Sequence, residues 1–268
     1  MKIAVCIKQV PDTKEVKLDP VTNNLIRDGV PSIINHDDKT GIEAALQLKE
    51  KHGAEVTVFC MGPGQADIAL REALAMGADN AYLISAREFG GSDTYATALI
   101  IATALKKMGP FDLFITGRQA IDGDTAQVGP QIAENLGVPQ VSYAEGIEVN
   151  GDMVTVKRQY EDRYHMIDVK MPCLLTAIQE LAEPRYMHAG LIIDAYNKEI
   201  PVIGYDDLKD MLNPKHIGNQ KDDGTGSPTR VIRSFTKEPK GQGIKYDAVG
   251  PDEAVKIIMD KMEERHII

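Results

Sequence analysis

The stretch GRQAIDGDTAQVGPQ, running from Gly117 to Gln131, concentrates residue types that bind phosphate through the main chain. Gly117, Gly123 and Gly129 lack the Cβ that would hold an anion away from backbone N–H groups. Thr125 and Gln127 add hydrogen-bonding side chains, and Asp122 and Asp124 are acceptors suited to ribose hydroxyls. A helix after the stretch would turn its positive end toward the same anion. An ordinary glycine-rich loop with solvated aspartates is the alternative that these residues leave open. The stretch is neither GxGxxG nor GxxxxGK[ST]. Asp122 and Asp124 without a third partner are a weak signal for Mg²⁺. His36, His165 and His188 have no Ser, Cys or metal partner in the sequence, so neither a catalytic residue nor a metal centre is expected.

The elements that must position this loop follow from the apolar pattern. KIAVCIK (2–8), EVTVFCM (55–61), NAYLIS (80–85) and DLFITG (112–117) are short apolar runs of strand type. Helices are expected between them. NHDDKTGIEAALQLKEKHG (35–53) has a capping side chain near Asn35 to Asp38, an inner stripe of Ile42, Ala45, Leu46 and Lys49, and Gly53 as its stop. GPGQADIALREALAMGA (62–78) ends at Gly77. SDTYATALIIATALKKMG (92–109) starts at Ser92 or Asp93 and stops at Gly109, and a fourth helix with Ile132 and Leu136 stops at Gly137. FGGSDT (89–94) resembles the SGGxDS loop of ATP pyrophosphatases. That loop follows a first strand, whereas this stretch follows the third and begins with Phe89, so it is read as a helix start. A small hairpin is expected around DPVTNNLIRDG (19–29), and the Asn150–Gly151 turn marks another hairpin. RYHMIDVKMPCLLTAIQE adds two strands. The fold class is α/β, a doubly wound, mostly parallel, Rossmann-like adenine-nucleotide-binding sheet with an added β-hairpin region and an extended C-terminal arm. In such sheets ligands lie beyond the carboxyl ends of the strands, where strand order reverses. The loops after AVCI, VFCM and LFITG should share that edge.

The 268 residues, 43% hydrophobic and 26% charged, suffice for a globular core. The net charge of −10 and the absence of a long Lys/Arg run argue against nucleic acid as a partner. ALIIATAL (98–105) is too short for membrane insertion. The start MKIAVCIKQV lacks the apolar region and cleavage site of a signal peptide, and a cytoplasmic location is expected. Cys6, Cys60 and Cys173 sit in separate apolar runs, as buried reduced thiols do. Residues 1–212 form the nucleotide-binding domain on this reading, and residues 213–268 a loop-rich C-terminal arm. That arm closes on a helix with Ala254, Ile257, Ile258, Lys261 and Met262 on one stripe, which packs either on a partner or back on its own domain.

Four stretches, VCIKQVPDT (5–13), EALAMGAD (72–79), GRQAIDGDTAQVGP (117–130) and LTAIQELAEPRY (175–186), together with the tail GSPTRVIRSFTKEP, resemble the β subunit of electron-transfer flavoproteins almost end to end. The resemblance implies pairing with a larger α subunit that holds FAD, with the arm packing on it, and a second nucleotide on this chain's own sheet edge. It implies that Gly117, Arg118, Gln119, Ala120, Ile121, Asp122, Gly123, Asp124, Thr125, Ala126, Gln127 and Val128 line that nucleotide. Cys6, the segment Asn35, His36, Asp37, Asp38, and Met61 occupy the other matching positions.

Members that hold AMP carry an amide and a hydroxyl side chain where this chain has Ala126 and Val128. The stretch DGDTAQVGP instead looks like the electron-bifurcating members, which hold a second FAD. That type implies hydride transfer from NADH to the β-subunit FAD. One electron then passes through the α-subunit FAD to a dehydrogenase, and the other to ferredoxin or flavodoxin. The protein then holds and tunes the flavin. The alternative is a non-bifurcating β subunit with structural AMP. ELAEPRYMHAG (180–190) resembles the loop by which the family docks on acyl-CoA dehydrogenases. Leu181 lies at the anchor position, with Glu183, Pro184, Arg185 and Tyr186 beside it, and a loop leucine covering its own core is the alternative. The following helix is not lysine-rich, which leaves room for an acyl-CoA reductase-type or other flavin dehydrogenase as partner.

Overall fold

The computed structural model describes residues 1–12, 31–229, 232 and 241–268. The small hairpin expected around 19–29 lies outside the described residues. One nine-stranded sheet organises the chain. Its strands are β1 (Lys2–Ile7), β4 (Glu55–Met61), β5 (Asn80–Ile84), β6 (Leu113–Gly117), β7 (Gln140–Asn150), β8 (Met153–Gln159), β9 (Tyr164–Lys170), β10 (Cys173–Ala177) and β11 (Val202–Ile203). They lie in the order β11-β5-β4-β1-β6-β10-β7-β8-β9. The pairs from β11 through β7 are parallel, and only β8 and β9 run antiparallel to their neighbours. Two short strands, β2 (Gln9–Pro11) and β3 (Ser32–Ile34), pair antiparallel beside the end of β1.

Alternation along the central strands divides the core in two. In β1, Ile3, Val5 and Ile7 face one apolar cluster, while Ala4 and Cys6 face the other. In β6, Leu113 and Ile115 join the first cluster and Phe114 the second. Helices α1 (His36–His52) and α2 (Asp67–Met76) cover the first face through Ile42, Leu46 and Leu70. Helices α3 (Thr94–Met108) and α4 (Val128–Leu136) cover the second through Ile100, Leu105 and Ile132. Both faces of the parallel strands are buried, which explains why their sequences read as unbroken apolar runs rather than as alternating ones.

The helix ends follow local rules. Gly53 and Gly137 terminate α1 and α4 at φ +64 and +73, the left-handed conformation that favours glycine. Asp93 caps α3, its carboxylate accepting from Ala96 N at 3.0 Å, so FGGSDT does open a helix. Two expectations for α1 need correction. Asn35 stands at the cap position, but its side chain makes no cap hydrogen bond. Lys49 is not on the apolar stripe; its ammonium reaches Asp79 at 2.6 Å and the carbonyl of Gly77 at 3.0 Å, and Leu48 is buried instead.

The chain divides into Met1–Ile232 and Arg233–Ile268, a boundary later than the expected 212/213. Residues up to Thr229 stay with the first unit because Ser227 and Thr229 are tied to the start of α3. Asp93 N donates to Ser227 Oγ at 2.9 Å, and Thr229 N and Oγ1 donate to Asp93 Oδ2 at 3.0 and 2.7 Å. Helix α5 (Ala189–Asn197) packs on α2, and the short α6 (Tyr205–Leu208) packs on α3, its Leu208 in the second cluster. The second unit contains α7 (Pro251–Glu264), none of whose residues is buried, with Val255, Ile258 and Met259 exposed. No described helix is long and apolar enough to cross a membrane.

Candidate functional site

The connection after β1 leads through α1 to β4 on one side, while the connection after β6 leads through α4 toward β7 on the other. Between these two adjacent strands the winding reverses, and the carboxyl ends open onto a crevice. A cavity of about 720 Å³ lies there, within the range of clefts that enclose a cofactor. Its wall includes Cys6 from β1, Met61 from β4, Ile84 from β5 and Gly117 from β6.

Thirteen of the eighteen expected cofactor residues line this cavity: Cys6, Asp38, Met61, Gly117, Arg118, Gln119, Ala120, Gly123, Asp124, Thr125, Ala126, Gln127 and Val128. Asn35, His36, Asp37, Ile121 and Asp122 do not, and three of these serve as supports. Asn35 is fully buried; its Oδ1 accepts from Ile121 N at 3.1 Å and its Nδ2 donates to Gln119 O at 2.8 Å. That is why it does not cap α1: its amide is committed to the glycine-rich loop. Asp122 receives the Lys8 ammonium at 2.6 Å, which ties the same loop to the end of β1. It is therefore committed to a cation of its own chain rather than free for a ribose. Asp37 pairs with Arg118 at 3.6 Å, and His36 is exposed.

The reversal point is latched by Asp38. Its Oδ2 accepts from Lys8 N at 2.7 Å and its Oδ1 from Gly117 N at 2.8 Å, so one buried carboxylate joins the ends of β1 and β6. Burial pushes its carboxyl up to about 7, against the opposing pull of the N–H groups of Lys8 and Gly117 and the Asn35 side chain. Burial likewise pushes the Cys6 thiol far above its ordinary range, with the Asp38 charge adding to the effect. Cys6 is a wall residue and not a nucleophile.

Glycine acts at two places by permitting close approach. A Cβ on Gly117 would lie 2.2 Å from Asp38 Oδ1, and one on Gly129 would lie 2.6 Å from Thr116 Oγ1 and 2.9 Å from Thr176 Cγ2. Gly129 therefore lets the first turn of α4 sit directly on the sheet edge. Its N–H and that of Val128 lie in that turn, beyond the reach of intrahelical bonding, at the positive end of the helix. Gly123 is different: a Cβ there would meet nothing within 4 Å, and its φ is not left-handed. The left-handed residues of the loop are Asp124 at φ +50 and Ala126 at φ +52. For Ala126 that conformation carries a cost of about 1 kcal/mol, a strain typical of binding loops.

Sequence reasoning missed part of the wall. Ser85, Ala86 and Arg87 after β5 line the cavity, as do Gly90 to Thr94 and Thr97. FGGSDT was thus correctly read as a helix start, yet it is also a wall of the cleft. Its paired glycines after a strand were the available signal. Thr94 Oγ1 donates to Gln127 Oε1 at 2.9 Å and joins the two glycine-bearing loops.

The expected docking residues lie away from the cavity. Leu181 ends a turn of 3₁₀ helix and packs, half-buried, against the core under α1 and β7. Arg185 is a clamp: its Nε and Nη2 reach the buried Glu43 carboxylate at 2.8 and 2.9 Å, and its Nη1 reaches Glu50 at 2.5 Å. Glu183 is exposed, Pro184 half-buried, and Tyr186 98% exposed. Tyr186 is followed by the exposed Met187 and, in α5, by the exposed Leu191, Ile193 and Tyr196. Arg71 fixes α5 in place, its guanidinium donating to the carbonyl of Ala195 at 2.5 Å.

Residues 22–207 match the family model described as electron transfer flavoprotein domain. The chain is 52% identical to an electron transfer flavoprotein subunit beta from Clostridium acetobutylicum, over all of both chains. It is 49% identical to caffeyl-CoA reductase-Etf complex subunit CarD from Acetobacterium woodii, and 49% identical to acryloyl-CoA reductase electron transfer subunit gamma from Anaerotignum propionicum, again over all of each chain.

Proposed function

This chain belongs to the electron transfer flavoprotein family, as a β subunit, and we propose that its cavity holds FAD and makes it the NADH-oxidising, electron-bifurcating subunit of its complex. The observation that carries this reading is the cleft of about 720 Å³ whose glycine-rich wall presents Ala126 and Val128. Neither side chain can hydrogen-bond a terminal phosphate, and both leave the path past α4 open for a longer ligand. The residues present fit such a group. The N–H groups of Val128 and Gly129 receive phosphate, Gly129 keeps the approach free, and Asp38, Asn35 and Lys8 hold the two loops at a fixed separation. Cys6 and Met61 give the ligand an apolar wall.

Bound there, FAD supplies hydride acceptance from NADH and the division of the pair, one electron toward the FAD of the α subunit and a flavin dehydrogenase, the other toward ferredoxin or flavodoxin. Extraction of nucleotides from the purified αβ heterodimer tests this. The expected yield is two FAD per heterodimer, and one FAD with one AMP overturns it.

The exposed Tyr186 and Met187 at the end of the loop before α5 are the docking contact for the dehydrogenase on this reading. Two relatives named as parts of acyl-CoA reductase complexes support a partner of that type. The exposed apolar residues of α7 are proposed to pack on the α subunit. Tyr186→Ala is expected to weaken electron transfer to the dehydrogenase by about 1–3 kcal/mol of docking energy while leaving the melting temperature unchanged. Leu181→Ala should do the reverse, because its side chain covers this chain's own core, at a cost of about 2 kcal/mol in stability. Measuring dehydrogenase reduction and thermal unfolding for both variants separates anchor from core. Equal docking loss without destabilisation in Leu181→Ala would return the anchor role to Leu181.

A further inference from the structure

Arg118 follows the last residue of β6, where its N–H bonds the carbonyl of Ala177 at 2.8 Å. Its guanidinium lines the cavity and is only partly satisfied. The only ion pair of this side chain among the described residues is with Asp37 Oδ2 at 3.6 Å, too long for a hydrogen bond. Its Nε is buried and without a hydrogen-bond partner. An unpaired buried guanidinium N–H is a costly arrangement, and a ligand acceptor would relieve it.

A second, independent observation lies beneath it. The Tyr143 ring sits under the guanidinium, 5.7 Å from Cζ to ring centroid. Tyr143 holds φ +59, a backbone conformation that an aromatic residue rarely adopts. It is held there by a bulge. β7 places two residues opposite Thr176 alone, the register shifting between Leu175 and Ala177, and Thr176 Oγ1 accepts from Tyr143 N at 3.0 Å. Bulges of this kind re-aim a side chain, and strained residues persist where their surroundings impose them. Here both features place one ring beneath one cation.

The ion pair of Arg118 is with α1 and not with α4, whose first turn is proposed to receive phosphate. The first turn of α4 belongs to the sheet face covered by α3 and α4, whereas Asp37 belongs to α1, on the other face. The flat, stacked fork is therefore directed at a different part of the ligand, and its geometry suits the acceptor edge of a planar ring.

We propose that Arg118 is a specificity-determining residue of the cavity, donating to an acceptor edge of the bound flavin ring and favouring the reduced, more negative ring over the oxidised one. This rests on the reading that the second nucleotide is FAD. Tyr143 and Asp37 are its positioning residues.

The test uses the αβ heterodimer with both flavins bound. In Arg118→Gln the preference for reduced over oxidised flavin should fall about tenfold, which lowers the two-electron potential of the β-subunit flavin by about 30 mV. Arg118→Lys should fall between the two, because it keeps the charge and loses the fork. Tyr143→Gly decides the matter if Arg118→Gln loses its flavin. Glycine adopts φ +59 without strain, so the fold is kept, the ring is lost, and the potential should move in the same direction by less. An unchanged potential in Tyr143→Gly and in flavin-loaded Arg118→Gln overturns the proposal. AMP in place of the second FAD would instead overturn the reading beneath it.

Discussion

Gly117→Val lowers the stability of the subunit by about 3 kcal/mol or more and abolishes occupancy of the cavity proposed to hold the nucleotide. The cause is local and geometric. A Cβ at Gly117 would lie 2.2 Å from Asp38 Oδ1, 2.8 Å from Asp38 N and 2.9 Å from Asp37 Cβ. All three neighbours belong to the first turn of α1, one of them a backbone N and another a Cβ fixed to the backbone, and that turn packs on β6 and cannot move aside cheaply. Overpacking of this kind costs about 1–3 kcal/mol. Forcing Asp38 away also breaks the buried bond from Gly117 N and leaves an N–H unpaired, about 1–3 kcal/mol more. For a domain of this size the melting temperature should fall by about 10 °C. The control lies six residues on. Gly123→Ala puts a methyl group where nothing approaches within 4 Å, in a backbone conformation alanine accepts, and should leave the melting temperature unchanged. Differential scanning calorimetry of both variants, with nucleotide extraction from each, tests the pair. Equal melting temperatures would show that the approach of α1 to β6 is not tight.

Asp38 gives the second large effect, and its sign is set by burial. Its carboxyl is raised from 3.8 to about 7 in the folded chain. Between about pH 4 and 7 the folded chain retains a proton that the unfolded chain releases, so stability falls as pH rises through that window. The full change, present below pH 4 and lost above pH 7, is about 4 kcal/mol. Asp38→Asn does not titrate. It keeps one acceptor for Lys8 N or Gly117 N and turns its amide toward the other, a penalty of about 1–3 kcal/mol at every pH. Melting temperatures of the heterodimer measured from pH 4 to 8 should decline for the native chain and be flatter for Asp38→Asn. Parallel curves would show that Asp38 does not titrate in this window.

Sequence by itself determined the elements and the sheet edge on which the cavity opens. Short apolar runs became the parallel strands, because strands buried on both faces need apolar residues at every position. Gly53, Gly77 and Gly137 ended helices where left-handed or otherwise open backbone is required, and Asp93 capped α3. The glycine-rich loop after β6 was legible as a wall of the cleft, because its residue types express a local backbone requirement. The return of β10 into the sheet between β6 and β7 was not legible, since strand order depends on which edges meet in space rather than on any local pattern. Side-chain commitments were equally hidden. Asn35, Asp122 and Asp38 read as ligand contacts; all three are bonded to groups of their own chain, and of the three only Asp38 also lines the cavity. Their partners Ile121, Lys8 and Gly117 lie 86, 114 and 79 residues away in the chain. Leu181 read as an anchor, with a core-covering leucine as the alternative, and lies half-buried against the core, while Tyr186, five residues on, is exposed. Burial and pairing are properties of the packed whole: a polar group's partner and an apolar group's exposure are fixed only when distant segments come together. For that reason the strained ring of Tyr143 beneath Arg118 could be seen only in the tertiary structure.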